Sequence, residues 1–576
     1  MNPQTCKWLR KIQTFQYWIN DNPKNRGLLW ICGGPGKGKT HLSTSLVTQL
    51  ENTHMVLRYF CDTTNIQRST ELAVVLGLLN EVLGWDSPEE LYKVIAGKFS
   101  GIGQDLFSDA YTTDLWDCLE KMIRKRAQNH PVYLVLDGLD ECDSSSQRRL
   151  TNQLRKICYQ NRQEEKNPVK VVIFSRPLNL HHQEDLMIDL HEDEILKWTE
   201  EDIRTILKDV CLLKQGKEEF CDILTKRANG TFLWVALALS SLGDRSTQQN
   251  IVDGDSASLD EFPVGLDAMY RRMLFNILER LHGKSHFKGK MEIFRCLTVS
   301  LHPLTKEEVG AITSLDGAIV DDALQAFQHI LSIAGEGSAD GEIKLVHLSL
   351  REFIIHNSSS LMAEEKCWSV WPRLYSAARW LREHRFRLWL VDYAVLATVS
   401  IYFQGFLYQR PALTFGLSSL IMLHFVSQKQ RSSLLIGQFH KALERCINEI
   451  IMIIFCVREQ QVHRFMFRRC IALMNDKTKG LKRDICDAEY PRHFRNGVAI
   501  EERCRRVRYP SRYWIRHLER SEPKSCEIDK AYVFLGEHFL HWLEAMGIFD
   551  VISEAAGELE IIKGIIQVSH HSIFLE

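Results

Sequence analysis

Eight consecutive residues, Gly33-Gly34-Pro35-Gly36-Lys37-Gly38-Lys39-Thr40, satisfy every fixed position of the phosphate-binding pattern G-x-x-x-x-G-K-[ST]. The pattern restricts the fold because it works only where a buried strand turns through a glycine loop into a helix. Leu28, Leu29, Trp30 and Ile31 supply a short apolar strand, and His41 to Glu51 carry Leu42, Leu46, Val47 and Leu50 at helical spacing. Glycines let backbone N–H groups turn inward around phosphate oxygens, and the helix presents its positive end to the same anion. In that arrangement Lys39 reaches the β- and γ-phosphates and Thr40 ligates Mg²⁺, so a nucleotide is the ligand this stretch implies.

At 576 residues, with 45% hydrophobic and 25% charged residues, the chain has material for several folded cores. A formal net charge of -1 argues against a nucleic acid or an anionic membrane recruited by overall charge. Sixteen cysteines include no C-x-x-C pair and no zinc-like spacing, which predicts reduced, mostly buried thiols. Lys7, Arg10 and Lys11 interrupt the first twenty residues, so no signal-peptide core forms there, and a cytoplasmic location is expected.

Residues 1–26 read as a helical lead-in, with one short helix around Cys6 to Leu9 and another around Phe15 to Ile19. Beyond the P-loop helix, His54 to Cys61 predicts a second strand and Ser69 to Leu83 a helix, the alternation of a parallel α/β sheet. Val132 to Leu136 form a third strand that ends in Asp137, with Gly138, Leu139, Asp140 and Glu141 behind it. A carboxylate at the carboxyl end of a buried strand lies where open α/β sheets bind ligands, so Asp137 is a candidate Mg²⁺ ligand with Thr40. Asp140 and Glu141 are candidates to orient or deprotonate an attacking water. Val169 to Phe174 predict a fourth strand running into Ser175-Arg176-Pro177, and Arg176 would face the same edge, where a guanidinium can stabilise a γ-phosphate.

GGPGKGKT, LVLDGLDE and VVIFSRP, in this order, resemble the NACHT domains of fungal STAND-class NTPases, the group that includes vegetative-incompatibility proteins. Gly138 after Asp137, with Asp140 and Glu141 following, is similar to the NACHT variant of Walker B. Ala228 to Val235 looks like the segment that closes the family's helical subdomain, and Phe262 to Leu266 with Met269-Tyr270 looks like the entry to its winged-helix region. His302 to Val309 and Val346 to Phe353 are similar to later winged-helix landmarks. In related proteins a histidine of that second motif contacts the diphosphate of the closed state, so the resemblance makes His347 the candidate switch residue.

The resemblance lapses between 357 and 456. Leu388 to Phe406 is largely apolar and near membrane-spanning length, and Leu413 to Val426 is a shorter second stretch, yet Asp392 and Gln404 make the first a poor span. A buried helical insertion, a translated intron and a membrane segment through 388–426 all remain open readings of this part of the sequence. From His463 the likeness to the family's helical linker resumes. There Arg503, Arg505, Arg506, Arg508, Arg512 and Arg516 accompany Tyr509, Tyr513 and Trp514. Helical spacing favours an amphipathic helix with its aromatics inward over a nucleic-acid surface.

The expected organisation is therefore a lead-in (1–26), an α/β P-loop NTPase core with a parallel sheet flanked by helices (27–180), a helical subdomain (181–245), a winged-helix-like region (260–356), the atypical apolar stretch (357–456) and a mostly α-helical linker region (457–576). The resemblance implies a molecular switch that binds ATP or GTP with Mg²⁺, hydrolyses it slowly, rests with ADP or GDP, and self-associates on activation. No motif distinguishes adenine from guanine. Relatives usually carry an N-terminal effector and C-terminal repeats, and no repeat period precedes Glu576, so the expected chain is the switch module alone, either a truncated gene product or one that works with separate effector or sensor partners. The alternative from another class is a nucleotide-locked scaffold without turnover.

Overall fold

A computed structural model of the chain describes residues 5–20, 28–63, 68–84, 88–128, 130–159, 169–211, 218–243, 262–281, 285–334, 341–359, 451–452, 454–483, 485 and 497–573. The apolar stretches within 388–426 lie outside the described residues. Among the described residues, no helix is long and apolar enough to cross a membrane. The chain divides into two compact units, Met1–Met269 and Tyr270–Glu576.

The first unit is built on five parallel strands: β1 (Leu28–Cys32), β2 (Met55–Phe60), β3 (Val132–Asp137), β4 (Val169–Ser175) and β5 (Leu186–Asp189). Their order across the sheet is β2-β3-β4-β1-β5. Helix α1 (Gln13–Ile19) precedes the sheet, and α2 (Lys39–Glu51) follows β1. Helices α3 (Glu71–Leu83), α4 (Pro88–Ile102) and α5 (Thr112–Ala127) lie between β2 and β3 in the chain, and α6 (Ser144–Tyr159) leads to β4. Three more, α7 (Asp193–Cys211), α8 (Glu218–Ala228) and α9 (Phe232–Gly243), follow β5.

β1, β3 and β4 are buried along their whole length, as strands covered on both faces must be. Period-two alternation divides their side chains between two cores. Leu29, Ile31, Tyr133, Val135, Val172 and Phe174 pack with Leu42, Leu46 and Leu50 of α2 and with Phe15 and Trp18 of α1. Leu28, Trp30, Leu134, Leu136, Val171 and Ile173 pack on the other face with α3, α5 and α6. The short helices expected around Cys6 to Leu9 and Phe15 to Ile19 are present as a 3-10 turn, Lys7–Lys11, and as α1.

Two buried side chains hold that lead-in in place, one from the sheet and one from α7. Lys170, fully buried in β4, donates to the carbonyls of Ile19 (2.8 Å) and Asn20 (2.7 Å) at the carboxyl end of α1, and its ammonium lies 5.6 Å from the centre of the Tyr133 ring. A cation there answers the negative end of the helix. Asp202 of α7 receives Cys6 N–H (2.8 Å) and Trp8 Nε1–H (2.9 Å) on one carboxylate oxygen.

The second unit combines helices with a small antiparallel sheet. Helix α10 (Leu266–Leu281) runs across the division between the units, and α11 (Phe287–Val299) follows. β6 (Leu304–Thr305), α12 (Lys306–Thr313), α13 (Gly317–Phe327), β7 (Leu331–Ala334), β8 (Glu342–Leu345) and α14 (Leu348–Ser359) come next, with sheet order β6-β8-β7. A capping box of Thr305 and Glu308 opens α12, and Arg469 closes it by donating to Ile312 O (2.7 Å) and Ala311 O (3.2 Å).

The remaining described helices are α15 (Glu459–Met474), α16 (Gly497–Arg520), α17 (Ser525–Ile548) and α18 (Ala555–Ile573). Tyr509, Tyr513 and Trp514 are buried, as the helical spacing predicted. Arg512 makes two bonds to Glu554 (2.9 and 2.7 Å), and Arg516 donates to Glu558 (2.7 Å). The side chain of Arg503 lies outside the described residues.

Replacing Lys170 by Met removes two charge-assisted hydrogen bonds from a site that excludes water. Lys170→Met is expected to cost about 2–3 kcal/mol in urea unfolding and to expose residues 12–20 to protease. An unchanged midpoint with intact protease resistance would contradict the assigned role of this lysine.

Candidate nucleotide site

Strand order sets the geometry of the site. β4 pairs with β1 on one side and β3 on the other, with Cys32 opposite Ser175 and Asp137 opposite Phe174. The residues leaving β1, β3 and β4 therefore emerge on one edge of the sheet. The P-loop leaves β1, the acidic turn leaves β3, and Arg176 leaves the strand between them.

Gly36 (φ 71°) and Gly38 (φ 81°) adopt the left-handed backbone that glycine alone takes without strain. Space also demands glycine: a Cβ on Gly38 would lie 2.8 Å from the Phe232 ring, and one on Gly36 would lie 2.7 Å from Leu233 Cβ. Helix α2 begins at Lys39, so the loop ends on its N-terminus. Lys39 Nζ donates to Gly33 O (2.8 Å) and Gly34 O (3.1 Å). Burial holds the Lys39 ammonium below its ordinary value; nearby Arg176 adds to the effect while Asp140 opposes it.

Asp137 is buried at the end of β3, and its Oδ1 has no hydrogen-bond partner among the described residues. Burial raises its carboxyl group to about 6, against the opposing influence of the nearby Thr40 and Ser43 hydroxyls. Gly138 then turns the chain at φ 78°, where a Cβ would lie 3.2 Å from Cys61 O. The turn brings up two further acids with different environments. Asp140 accepts the backbone N–H of Arg176 on Oδ1 (3.0 Å) and its guanidinium Nε on Oδ2 (3.1 Å). Glu141 accepts Thr63 N–H (3.1 Å), and burial raises its carboxyl to about 7.

The structure thus brings Gly33 to Thr40, Asp137, Asp140, Glu141 and Arg176 to one edge of the first unit. His347 belongs to the second unit, directly ahead of α14. There its Nδ1 accepts Ser349 N–H (3.1 Å) and lies 2.7 Å from Ser349 Oγ, which meets the Tyr270 hydroxyl at 2.7 Å. A nitrogen that accepts a backbone N–H carries no proton, so the neutral ring has its proton on Nε2.

Two contacts of the P-loop were absent from the sequence reading. His191 Nε2 accepts Gly34 N–H at 3.0 Å, although nothing in the run around it marks it as a neighbour of the P-loop. The segment Asn229–Leu233 also lies on the P-loop: Lys37 Nζ donates to Asn229 O (2.8 Å), and Leu233 N–H reaches Gly36 O (3.3 Å). Asn229 (φ 48°) and Gly230 (φ 65°) form a left-handed pair that turns α8 into α9. The Asn-Gly dipeptide signals such a turn, but not its contact with the glycine loop.

The chemistry of this donor set fits a phosphate with a divalent cation. An orphaned carboxylate oxygen beside a threonine hydroxyl suits a hard cation, and a glycine loop at a helix N-terminus suits an anion. Asp137 also generates a pH-dependent cost in the metal-free protein. Its folded-state carboxyl titrates above that of the unfolded chain, so the native state binds more protons between about pH 4 and 6 and loses stability as pH rises through that window. With EDTA present, Asp137→Asn is expected to gain about 2–3 kcal/mol over the parent between pH 4 and pH 8, read from urea midpoints. A constant difference across this range would refute the assignment.

Known proteins resemble this chain in part. The family described as Nephrocystin 3, N-terminal, matches residues 4–176. The vegetative incompatibility protein HET-E-1 of Podospora anserina is 24% identical over 372 residues, a match covering 61% of this chain and 26% of that protein. The chain therefore spans about a quarter of that relative's length. Among solved structures, "Structure of Drosophila ORC bound to DNA" matches at 13% identity and covers 60% of this chain and 96% of that one. Its TM-score is 0.26, too low to carry a structural argument. The family match spans all three sheet-edge motifs, so the chain is similar to that family over β1 to β4 and their loops, and it is similar in part to the fungal vegetative incompatibility protein.

Proposed function

We propose that the chain is a nucleotide-operated switch that binds ATP or GTP with Mg²⁺ at the sheet edge, hydrolyses it slowly, and changes its self-association with the state of the phosphate. The observation that carries this reading is the buried Asp137 oxygen without a partner, beside Thr40 and at the mouth of the glycine loop. Asp137 and Thr40 would hold Mg²⁺, which would screen phosphate charge in the transition state.

The other roles belong to side chains of this protein. Lys39 exchanges its bonds to Gly33 O and Gly34 O for phosphate oxygens. Arg176, oriented by Asp140, meets charge that develops on the outer phosphate. Glu141 is the proton acceptor for an attacking water, because a carboxyl near 7 suits proton transfer at neutral pH.

The helices and three-stranded sheet of residues 287–359 support a winged-helix reading of that region, and the family resemblance supports His347 as its diphosphate contact. Cytoplasmic residence and interaction with effector or sensor proteins complete the proposal. The rival reading is the nucleotide-locked scaffold, and the bonds that engage both Asp140 oxygens favour it, since they leave Glu141 alone to handle a proton.

Purified protein carrying Lys39→Ala is expected to lose bound nucleotide, identified chromatographically in the parent. Glu141→Gln should retain nucleotide while phosphate release falls by about a hundredfold. Nucleotide content equal in parent and Lys39→Ala would reject the site, whereas nucleotide retained without turnover in the parent would establish the scaffold.

A further inference from the structure

Two cysteines touch directly beneath the acidic turn. Cys61 follows β2, Cys142 follows Glu141, and their sulfurs are 3.4 Å apart although the residues are 81 positions apart in sequence. Both are buried, at 8% and 6% exposure. Both are free thiols, so this pair is a reduced dithiol.

The contact arises from sheet pairing. β2 and β3 run parallel, Phe60 lies opposite Asp137, and Cys61 N–H donates to Asp137 O (2.9 Å). Cys61 packs against Gly138, two residues before Thr63 gives its N–H to Glu141. The dithiol therefore joins the two segments that position Glu141.

We propose that Cys61 and Cys142 are an oxidative modification site whose disulfide shifts the acidic turn and slows turnover. A disulfide needs sulfurs about 2.05 Å apart, so the pair must close by roughly 1.3 Å. The balanced step consumes a peroxide. One thiol sulfur attacks a peroxide oxygen, the O–O bond breaks, and water and a sulfenic acid form. The second thiol then attacks the sulfenic sulfur, the S–O bond breaks, and a second water leaves. Both thiols lose their hydrogens to the two waters, the sulfurs are oxidised by two electrons, and the peroxide is reduced. Closing the sulfurs moves residues 61–63 against residues 138–142, and Thr63 N–H cannot follow Glu141 unchanged.

The effect on turnover rests on the switch reading above, but formation of the bond does not. The test treats full-length protein with hydrogen peroxide and maps peptides without reduction, with the exposed Cys526 as an internal gauge of oxidation. A joined peptide containing Cys61 and Cys142 is expected, along with altered hydrogen exchange of the amides at 61–63. Phosphate release should fall by roughly tenfold or more and recover with dithiothreitol, while Cys142→Ser should show neither the joined peptide nor the reversible loss. If Cys526 oxidises while Cys61 and Cys142 stay free in folded protein, the proposal is overturned. It also fails if the bond forms and both exchange at 61–63 and turnover remain as before. A parent without turnover that still forms the bond and shifts exchange would remove the switch reading while leaving the modification site in place.

Discussion

A buried carboxylate oxygen without a partner is costly, and the edge of the first sheet is organised around that cost at Asp137. The hydroxyls of Thr40 and Ser43 compensate in part, but burial still raises the carboxyl towards neutrality. Folding could have avoided the cost with a shorter strand or an amide in place of the acid. Retaining it makes energetic sense if something cationic takes the oxygen, and the neighbouring groups agree. Lys39 approaches the P-loop carbonyls, and Arg176 is restrained by Asp140.

Strand order is what makes the cluster possible. If β1 and β3 were neighbours, Arg176 at the end of β4 would lie outside both. With β4 between them, a residue leaving that strand reaches the glycine loop and the acidic turn together. Parallel pairing also aligns the carboxyl ends, so motifs separated by more than a hundred residues in the chain share one edge. The Asn229–Leu233 turn then packs the first residues of α9 on Gly36 and Gly38, which ties the helices after the sheet to the loop that would hold phosphate.

What could be read in the sequence was local. GGPGKGKT is recognisable because every glycine and the lysine serve a contiguous loop, and Asp137 because an acid ends an unbroken apolar strand. Tyr509, Tyr513 and Trp514 were placed inward correctly because one helical period decides their side. The Asp140–Arg176 pair, the His191 contact and the Cys61–Cys142 pair were not legible, since each depends on which strands or loops become neighbours. The same holds in the second unit for His463, His517 and Tyr509. There the two imidazole Nδ1 atoms lie 2.7 Å apart, and the tyrosine hydroxyl meets His517 Nε2 at 2.8 Å. Burial keeps both rings below their ordinary values, so the neutral pair shares a hydrogen bond within a helical core.

In the proposed reading, discrimination between tri- and diphosphate must come from groups that change partners, because a ligand shifts an equilibrium only by its differential affinity for two states. Lys39 and Arg176 are those groups at this edge. Both already have partners, Lys39 two carbonyls and Arg176 the Asp140 carboxylate. A phosphate gains from them only the difference between the new bonds and the bonds surrendered. The outer phosphate can therefore bias the conformation modestly without locking it. A site that must release one state and accept the next needs such a small difference more than it needs tight binding.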